Sequence, residues 1–439
     1  MFRRFLLYLL LLANLVIIFY FWSLNSGAML LDGGTQMYLS LGRITGLLAV
    51  FFILLQLILI GRVKWVEQVF GLDKLSLFHH WVGVFIPVLV LAHPIFLVFG
   101  YQGNNSFFAQ TWQFITQWEL LPAYGATLLF VLVTATSIYI VFSKKLKYEW
   151  WFLIHLSVYV AILWAFEHQL EIGGDFFGAP LFVAYWWLIY FFAFGNLILF
   201  RFLRPLFYFY QHQFKVDKVV EECPGVWSIY FTGKNLNKFI FQPGQFAIWR
   251  FLDRKNCWQA HPFSFSAVPN GSYLRITYKN LGDYTAELKN VKPGTFVLLD
   301  GPSGIFTAKR TKNNKILLIA GGVGISSIRC LLEDLQNQNR DVVLLFGSRK
   351  QGEIIFEKEL VGLSNTSTSV CSILSDDNNW VGEKGRIDEE KIKRLVPDYL
   401  IRDIYVCGPP MMMKGVVQTL FKMGVKKSKI YFEKFSLGS

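Results

Sequence analysis

Four histidines in two apolar segments are the residues best placed to do redox chemistry. His79 and His93 lie fourteen residues apart in the first segment, and His155 and His168 lie thirteen apart in the second. An ionisable side chain is costly inside a membrane and is a functional hypothesis by default. Two such pairs predict two haem irons, each bound by one imidazole from each segment. A helix-packing role or a proton relay, as in transporters, is the competing interpretation.

Helical geometry selects between neighbouring histidines. Fourteen residues at about 100° each bring His93 back to within about 40° of His79. His80 is thirteen residues from His93 and would point well away, so we expect His79 and not His80 to bind the metal. The thirteen-residue step from His155 to His168 is awkward for the same reason, and it requires a kink, a bulge or a different approach of the ring to the metal.

The composition predicts a membrane domain followed by a soluble half. Of 439 residues, 54% are hydrophobic and 17% aromatic, which is typical of a membrane protein. Runs of span length stop near Phe202. We expect the first apolar run to be a retained span, because no small-residue cleavage site follows it. The six expected spans are roughly 5–23, 41–60, 77–99, 122–142, 150–168 and 179–201.

Basic residues in the short loops predict the orientation of these spans. Loops 24–40, 100–121 and 169–178 contain no Lys or Arg. The other side carries the basic residues Arg3, Arg4, Arg62, Lys64, Lys74, Lys144, Lys145, Lys147, Arg201 and Arg204. We therefore expect a multi-pass plasma-membrane protein with a cytoplasmic N-terminus and soluble half. This topology also explains the net charge of +13 without a nucleic-acid partner.

The orientation assigns one metal centre to each leaflet of the bilayer. His79 and His155 would lie near the inner face, and His93 and His168 near the outer face, with about 20 Å between the two levels. Arg43 begins the second span at the outer surface. Its guanidinium would suit the propionates of the outer haem, and a side chain that merely extends to the membrane surface is the alternative.

The soluble half predicts two lobes. Short alternating strands, for example 214–232 and 272–278, indicate a β-barrel up to about residue 310. Strands near 316–320, 342–346 and 404–406 then alternate with helices near 325–336 and 411–423, as in a nucleotide-binding α/β lobe. The expected domains are a six-helix transmembrane di-haem bundle (1–205), an FAD-binding β-barrel (206–310) and an NAD(P)H-binding α/β lobe (311–439).

Two motifs in the predicted barrel favour a flavin. The extended segment His261-Pro262-Phe263-Ser264 offers a ring able to carry a proton, an aromatic face and a hydroxyl. Gly282-Asp-Tyr-Thr285 predicts a turn that opens a helix, whose free N–H groups favour an anion such as the FAD pyrophosphate.

Two features of the predicted α/β lobe favour a nicotinamide dinucleotide. Gly321-Gly322-Val-Gly324 lies between a strand and a helix, where it would bind phosphate. Arg349 follows the next strand, a position where an acid favours NAD, so a basic residue there favours NADPH over NADH. Cys407-Gly408-Pro409 ends a later strand, and a buried small residue is the alternative for Cys407. The five cysteines all lie in the soluble half without a C-x-x-C pair, which favours a reducing compartment and no disulfide.

These residues resemble those of a known superfamily. Spans two to five are similar to the ferric reductase-like transmembrane domain, and residues 206–439 to the ferredoxin–NADP reductase fold. Together they resemble the NADPH oxidase and ferric reductase superfamily in a compact prokaryotic form. The features that carry the resemblance are the His79/His93 and His155/His168 ladder, His-Pro-Phe-Ser, Gly-Gly-Val-Gly and Cys-Gly-Pro-Pro-Met.

The resemblance implies roles for individual residues. His261 would approach the FAD phosphates, Phe263 the isoalloxazine, Ser264 its N5 and Thr285 the pyrophosphate. Gly301-Pro-Ser-Gly304 resembles the turn between the lobes. Gly322 and Gly324 would contact the dinucleotide. Cys407 would lie near the nicotinamide, and Phe435 would shield the flavin.

The implied activity is transfer of electrons from cytoplasmic NADPH through FAD and two b-type haems to an acceptor outside. Two histidines per iron leave no open coordination site, so O2 would react by outer-sphere transfer to give superoxide. A ferric chelate as acceptor is one alternative. Another is a membrane redox subunit that donates electrons to a protein or a quinone, although no obligatory protein partner is expected.

Overall fold

The computed structural model describes residues 2–143 and 148–432. By its internal contacts the chain forms two units: the first ends at Leu199 and the second begins at Phe200, with the short segment Phe70–Asp73 grouped with the second. Each unit is described by itself below.

The first unit is a helical bundle. Six helical stretches of the described residues are long and apolar enough to cross a membrane, so the prediction of six spans is confirmed. The sixth stretch extends to His212 through a π-helical segment, Ile198–Leu203, well past its predicted end at 201. The helices of this unit are α1 (Phe2–Trp22), α2 (Gly34–Ile60), α3 (Lys64–Phe70), α4 (Leu72–Tyr101), α5 (Phe107–Thr116), α6 (Leu121–Ser143), α7 (Tyr148–Leu156), α8 (Val158–Glu171) and α9 (Pro180–Leu197). The second unit begins with α10 (Arg204–His212).

The helix of the fifth span is interrupted between its two histidines. α7 ends at Leu156 and α8 begins at Val158. Between them the Ser157 N–H donates to the Ile154 carbonyl (3.0 Å), an i to i−3 bond that tightens the helix locally. The helix is therefore interrupted between His155 and His168, which is one of the ways in which the thirteen-residue step could be accommodated.

The first lobe of the second unit is a small antiparallel barrel. Its strands are β1 (Lys215–Cys223), β2 (Val226–Thr232), β3 (Phe246–Phe251), β4 (His261–Ser264), β5 (Leu274–Lys279) and β6 (Val297–Ser303). They form two three-stranded sheets, with β2 at the centre of one and β3 at the centre of the other. Isolated bridges from Lys215 to Phe296 and from Phe265 to Ile276 join the sheets at both edges. The interior is filled by fully buried side chains that include Phe231, Trp249, Phe251, Phe265 and Ile276.

A short helix, α11 (Asp283–Glu287), lies between the last two barrel strands, and the second lobe is a parallel sheet with helices. The remaining elements are β7 (Lys315–Gly321), α12 (Ile325–Asn337), β8 (Asp341–Ser348), α13 (Glu357–Leu363), β9 (Thr368–Leu374), β10 (Glu383–Lys384), α14 (Glu389–Leu395), β11 (Asp403–Cys407), α15 (Pro410–Lys422) and β12 (Ile430–Phe432). The strand order is β10-β9-β8-β7-β11-β12, and each neighbouring pair is parallel. The order reverses between β7 and β11, and such a switch point is where open α/β sheets bind ligands.

Candidate functional site

The four histidines of the bundle meet in two pairs. α4 carries His79 and His93, α7 carries His155 and α8 carries His168. The ring centres are 6.0 Å apart in the first pair (His79 and His155) and 6.4 Å apart in the second (His93 and His168). Two metal–nitrogen bonds of about 2 Å each, with the distance from each nitrogen to its ring centre, come to about 6 Å. Each pair is therefore spaced to bind one metal from opposite sides.

The number of ligands indicates which kind of metal centre fits. Within residues 2–143 and 148–432, no three or more His, Cys, Asp or Glu side chains are grouped to hold a metal ion. Zinc centres use three or four protein ligands. Haem iron takes four nitrogens from its macrocycle, so two imidazoles complete its coordination. The two pairs fit two bis-histidine haems, and they do not fit a bare ion.

Hydrogen bonds orient two of the rings. His93 Nδ1 lies 2.7 Å from the Gly42 carbonyl oxygen, which can only accept, so Nδ1 carries the proton and Nε2 is available to a metal. His155 Nδ1 lies 3.5 Å from the Ser137 hydroxyl oxygen. The Nδ1 atoms of His79 and His168 are buried and have no hydrogen-bond partner among the described residues.

His80 does not join either pair. Its side chain is exposed, and its ring makes an edge contact with Trp81 at 5.8 Å between centres. The structure therefore places His79 toward His155, as the helical geometry predicts, while the role of His79 as a ligand stays a prediction.

Glycines on α2 allow the ring of His93 to pack closely. A Cβ atom at Gly46 would lie 2.5 Å from His93 Nδ1 and 2.7 Å from its Cε1, distances at which one group must move. Leu97 would similarly meet a Cβ at Gly42, at 2.7 Å from its Cδ2. The spacing Gly-x-x-x-Gly on α2 thus brings α4 close enough for the Gly42 carbonyl to hold His93.

We expect Gly46→Ala to lower the haem content from two per chain to one. The new methyl group would displace the His93 ring and break its bond to Gly42, which misplaces an axial ligand. The matched control is Gly195→Ala in α9, where a Cβ meets nothing within 4 Å. Pyridine haemochrome assays on both purified variants measure the number of haems per chain. Two haems retained in Gly46→Ala would contradict the expectation.

Arg43 has a protein partner that the sequence did not suggest. Its Nη1 donates to the Ser26 hydroxyl (2.9 Å) and lies 3.7 Å from Asp175 Oδ1. Asp175 is only 3% exposed and also accepts a hydrogen bond from Ser26. Burial raises the pKa of Asp175, against the opposing effects of Ser26 and Arg43. The contact of Arg43 with a haem propionate stays a prediction.

The segment His261-Pro262-Phe263-Ser264 forms β4 and pairs with β3. His261 stacks on Tyr284 with 3.8 Å between ring centres, and its Nε2 lies 3.1 Å from Gln259 Oε1. Burial lowers the pKa of His261, so the ring is neutral at pH 7. It would then act on a phosphate as a hydrogen-bond donor and not as a cation.

Two tyrosines that sequence reasoning missed support a flavin site beside this segment. The hydroxyls of Tyr278 and Tyr284 are buried without a hydrogen-bond partner among the described residues. Burial raises the pKa of both, which keeps them protonated as donors. The sequence signal was present, since Tyr284 lies inside the Gly282–Thr285 motif. Unpaired buried donors are costly, and an FAD with many acceptor atoms fits them.

Thr285 is engaged within its own turn. Its hydroxyl oxygen accepts from the N–H groups of Leu281 (2.9 Å) and Gly282 (3.1 Å). The turn opens α11, as expected, but that helix has only five residues. Contacts of Gly282 and Thr285 with the FAD pyrophosphate stay predictions.

The glycine turn and the Cys-Gly-Pro segment meet at the switch point. A Cβ at Gly324 would lie 2.6 Å from the Cys407 carbonyl oxygen and 2.7 Å from the Gly408 Cα, so only glycine fits there. Ser327 Oγ lies 3.3 Å from Cys407 Sγ. These contacts bring two motifs that are far apart in sequence to the carboxyl ends of β7 and β11.

Gly322 has open space around it at this edge. Gly322 has a φ of 49°, and a Cβ there would meet nothing within 4 Å. Gly321 ends β7, Pro409 precedes α15, and Arg349 follows β8 with an exposed side chain. Their roles toward NADPH stay predictions. Phe435 lies outside the described residues.

Comparison with protein families identifies three domains in this order. A ferric reductase like transmembrane component matches residues 45–166, an FAD-binding domain residues 225–306 and an oxidoreductase NAD-binding domain residues 318–418. With the fold, these matches give the chain a ferric reductase-like membrane component followed by FAD-binding and NAD-binding oxidoreductase domains. This order of domains matches that of a ferric reductase or NADPH oxidase-type fusion.

Curated relatives match about half of the chain. The reductase subunit of glycine betaine monooxygenase from Chromohalobacter salexigens is 29% identical over 238 residues, which are 51% of this chain and 64% of the relative. Flavohemoprotein B from Dictyostelium discoideum is 27% identical over 256 residues, 51% of this chain and 59% of the relative. The chain thus spans less than two thirds of the length of these relatives.

Solved structures also match about half of the chain. The ferredoxin reductase in carbazole 1,9a-dioxygenase has a TM-score of 0.46 at 23% identity and covers 51% of this chain and 68% of its own. The FAD/NAD-binding domain of the Vibrio cholerae nitric oxide dioxygenase has a TM-score of 0.45 at 24% identity, with coverages of 51% and 98%.

Proposed function

We propose that the chain oxidises NADPH in the cytoplasm and delivers the electrons to an acceptor across the membrane, with FAD and two b-type haems as its cofactors. The acceptor we favour is O2, with superoxide as the product. The observation that carries this proposal is the spacing of the two histidine pairs, 6.0 and 6.4 Å between ring centres.

Each site residue has a proposed role that follows from its position. His79 and His155 would hold one haem toward the cytoplasmic face, and His93 and His168 the other toward the outer face. When bound, FAD accepts a hydride and releases electrons singly, and each haem carries one electron. Ser264 and Cys407 would orient flavin and nicotinamide, and the neutral His261 would donate to phosphate. The proposed role of Phe435 as a shield of the flavin depends on residues beyond those described.

The charge of the loops on the proposed outer side favours a neutral acceptor. Loops 24–40, 100–121 and 169–178 contain Asp32, Glu119, Glu171 and Asp175 and no basic residue. Arg43, at the start of the second span, is already paired with Asp175. An anionic chelate such as ferric citrate would approach against this field, whereas O2 is unaffected by it.

A ferric-chelate reductase is the second candidate, favoured by the transmembrane family that residues 45–166 match. Superoxide dismutase-sensitive reduction of cytochrome c by the purified chain is expected under air. Reduction of ferric citrate under anaerobic conditions is expected to be slower and to accelerate with added salt. Fast anaerobic ferric citrate reduction without dismutase-sensitive activity would favour the second candidate. A purified chain that needs another protein for any activity would favour a redox subunit.

We expect Arg349→Asp to reduce the preference for NADPH. Loss of a charge-assisted hydrogen bond to the 2′-phosphate, and gain of a repelling carboxylate, should raise the half-saturating NADPH concentration about 10- to 100-fold. The half-saturating NADH concentration should change less than twofold. Lys422→Asp, at the far end of α15, is the matched charge-reversal control. Equal changes in the half-saturating concentrations of NADPH and NADH would show that Arg349 does not bind the 2′-phosphate.

A further inference from the structure

A buried cluster of charges joins the barrel to the nucleotide lobe. Arg275 on β5 donates to both carboxylate oxygens of Glu359 on α13, at 2.6 and 3.0 Å. Arg329 on α12 places its Nε 2.7 Å from the same carboxylate. The Arg275 and Arg329 side chains are only 2% and 11% exposed. Glu359 is therefore the single anion shared by two arginines from two lobes.

The same two arginines also contact Ser266, which follows the proposed flavin-binding segment His261–Ser264. The Ser266 carbonyl, two residues beyond Ser264, accepts from Arg275 Nη2 (2.7 Å) and lies 3.4 Å from Arg329 Nη1. Arg275 Nε donates to the Ser266 hydroxyl (3.2 Å). Movement of either arginine would therefore move the end of the segment that begins at His261.

In the nucleotide lobe, only a few residues separate the cluster from the glycine turn. α12 begins at Ile325, directly after the glycine turn, and Arg329 lies one helical turn further on. Arg329 also pairs with Glu333 at 2.5 Å within the same helix. One guanidinium thus connects the helix that the glycine turn opens to the segment beside the flavin.

The backbone of α13 is strained where it presents Glu359. Phe356, the N-cap residue of α13, has a φ of 61° and is only 4% exposed. A non-glycine residue holds such a conformation only where its surroundings impose it. The Arg275 guanidinium lies over the Phe356 ring, 4.6 Å from its centre. The barrel therefore fixes the start of α13, and with it the position of Glu359.

We propose that Glu359, held between Arg275 and Arg329, is a positioning residue that sets the approach of the nicotinamide to the flavin. This inference rests on the proposed function, because it concerns the hydride step between NADPH and FAD. Hydride transfer needs the donor carbon and the flavin in near contact, and a misplacement of about 1 Å lowers a rate about 100-fold. Loss of the shared anion would leave the buried Arg275 without this acidic partner and would break its link to Arg329, which keeps Glu333.

The test is anaerobic stopped-flow reduction of the flavin in the full-length, FAD-loaded chain. In Glu359→Gln we expect the limiting rate at saturating NADPH to fall about 10- to 100-fold. The half-saturating NADPH concentration and the FAD content should stay within twofold of the wild type. The isotope effect with NADPH deuterated at the transferred position should rise or persist, because the hydride step itself has slowed.

The matched control is Glu383→Gln. It breaks a bidentate pair with Arg394 in the same lobe, at 2.6 and 2.7 Å, but there the arginine side chain is 52% exposed. Its limiting rate should stay within twofold of the wild type. Arg329→Lys is the milder second variant, since it keeps the charge and loses the forked contact, and we expect a 3- to 10-fold loss of limiting rate.

Several outcomes would overturn the proposal. One is an unchanged limiting rate in FAD-loaded Glu359→Gln, and another is a loss of rate that only parallels lost FAD or weaker NADPH binding. If neither Glu359→Gln nor Arg329→Lys holds FAD, the cluster is a folding element and the proposal is wrong. A wild-type flavin that neither NADPH nor NADH reduces would contradict the proposed function instead.

Discussion

Replacing His79 by alanine is expected to remove one of two haems, whereas replacing His80 by alanine should leave both. His79 faces His155 at 6.0 Å between ring centres, while the exposed His80 makes an edge contact with Trp81. Loss of an axial imidazole leaves the iron with one protein ligand, which cannot hold a bis-histidine centre. The two variants differ by one position on the same helix, so each controls for the general effect of a substitution there.

The measurement is the haem content of both variants after haem supplementation, with the reduced absorbance bands of the remaining haem. His79→Ala should retain one low-spin b-type haem, held by His93 and His168. Loss of a haem in His80→Ala with full retention in His79→Ala would overturn the choice of ligand. Loss in both would mean that the alanine itself disturbs α4.

Gly324→Ala is expected to slow the reduction of the flavin by NADPH. The new Cβ would lie 2.6 Å from the Cys407 carbonyl oxygen and 2.7 Å from the Gly408 Cα. Both are backbone atoms that cannot rotate away, so the glycine turn and the Cys407 strand must separate. A displacement approaching 1 Å predicts about a 100-fold loss in the rate of flavin reduction by NADPH.

Two comparisons separate this effect from general damage. Gly415→Ala on α15 adds the same methyl group where nothing lies within 4 Å, and its rate should match the wild type. Dithionite should still reduce the haems of Gly324→Ala completely, because the bundle is untouched. Normal flavin reduction by NADPH in Gly324→Ala would show that this turn does not position the dinucleotide.

The features that could be predicted from sequence are those set by local periodicity. The orientation of His79, and not His80, toward His155 follows from the number of residues per helical turn. The thirteen-residue step from His155 to His168 drew attention to the helix that is interrupted at Ser157. The strand–glycine–helix order around Gly321 could likewise be predicted. In each case the decisive residues lie within about four turns of one span, or within one strand–turn–helix unit.

The contacts that could not be predicted join residues far apart in the chain. Asp175 pairs with Arg43 across 132 positions, and Glu359 pairs with Arg275 across 84. Nothing local marks an acid as the partner of a particular arginine, because the pairing is set by how whole elements pack. The buried hydroxyl of Tyr278 was missed for a similar reason, since its missing partner is visible only once its surroundings are known.

The most direct test of the central claim is the haem content and absorbance spectrum of the purified full-length chain, supplied with haem and FAD, before and after anaerobic NADPH. The histidine geometry predicts two b-type haems per chain, both low-spin and both reduced by NADPH. A colourless chain, or one that binds a single porphyrin, would contradict an electron path through two histidine pairs.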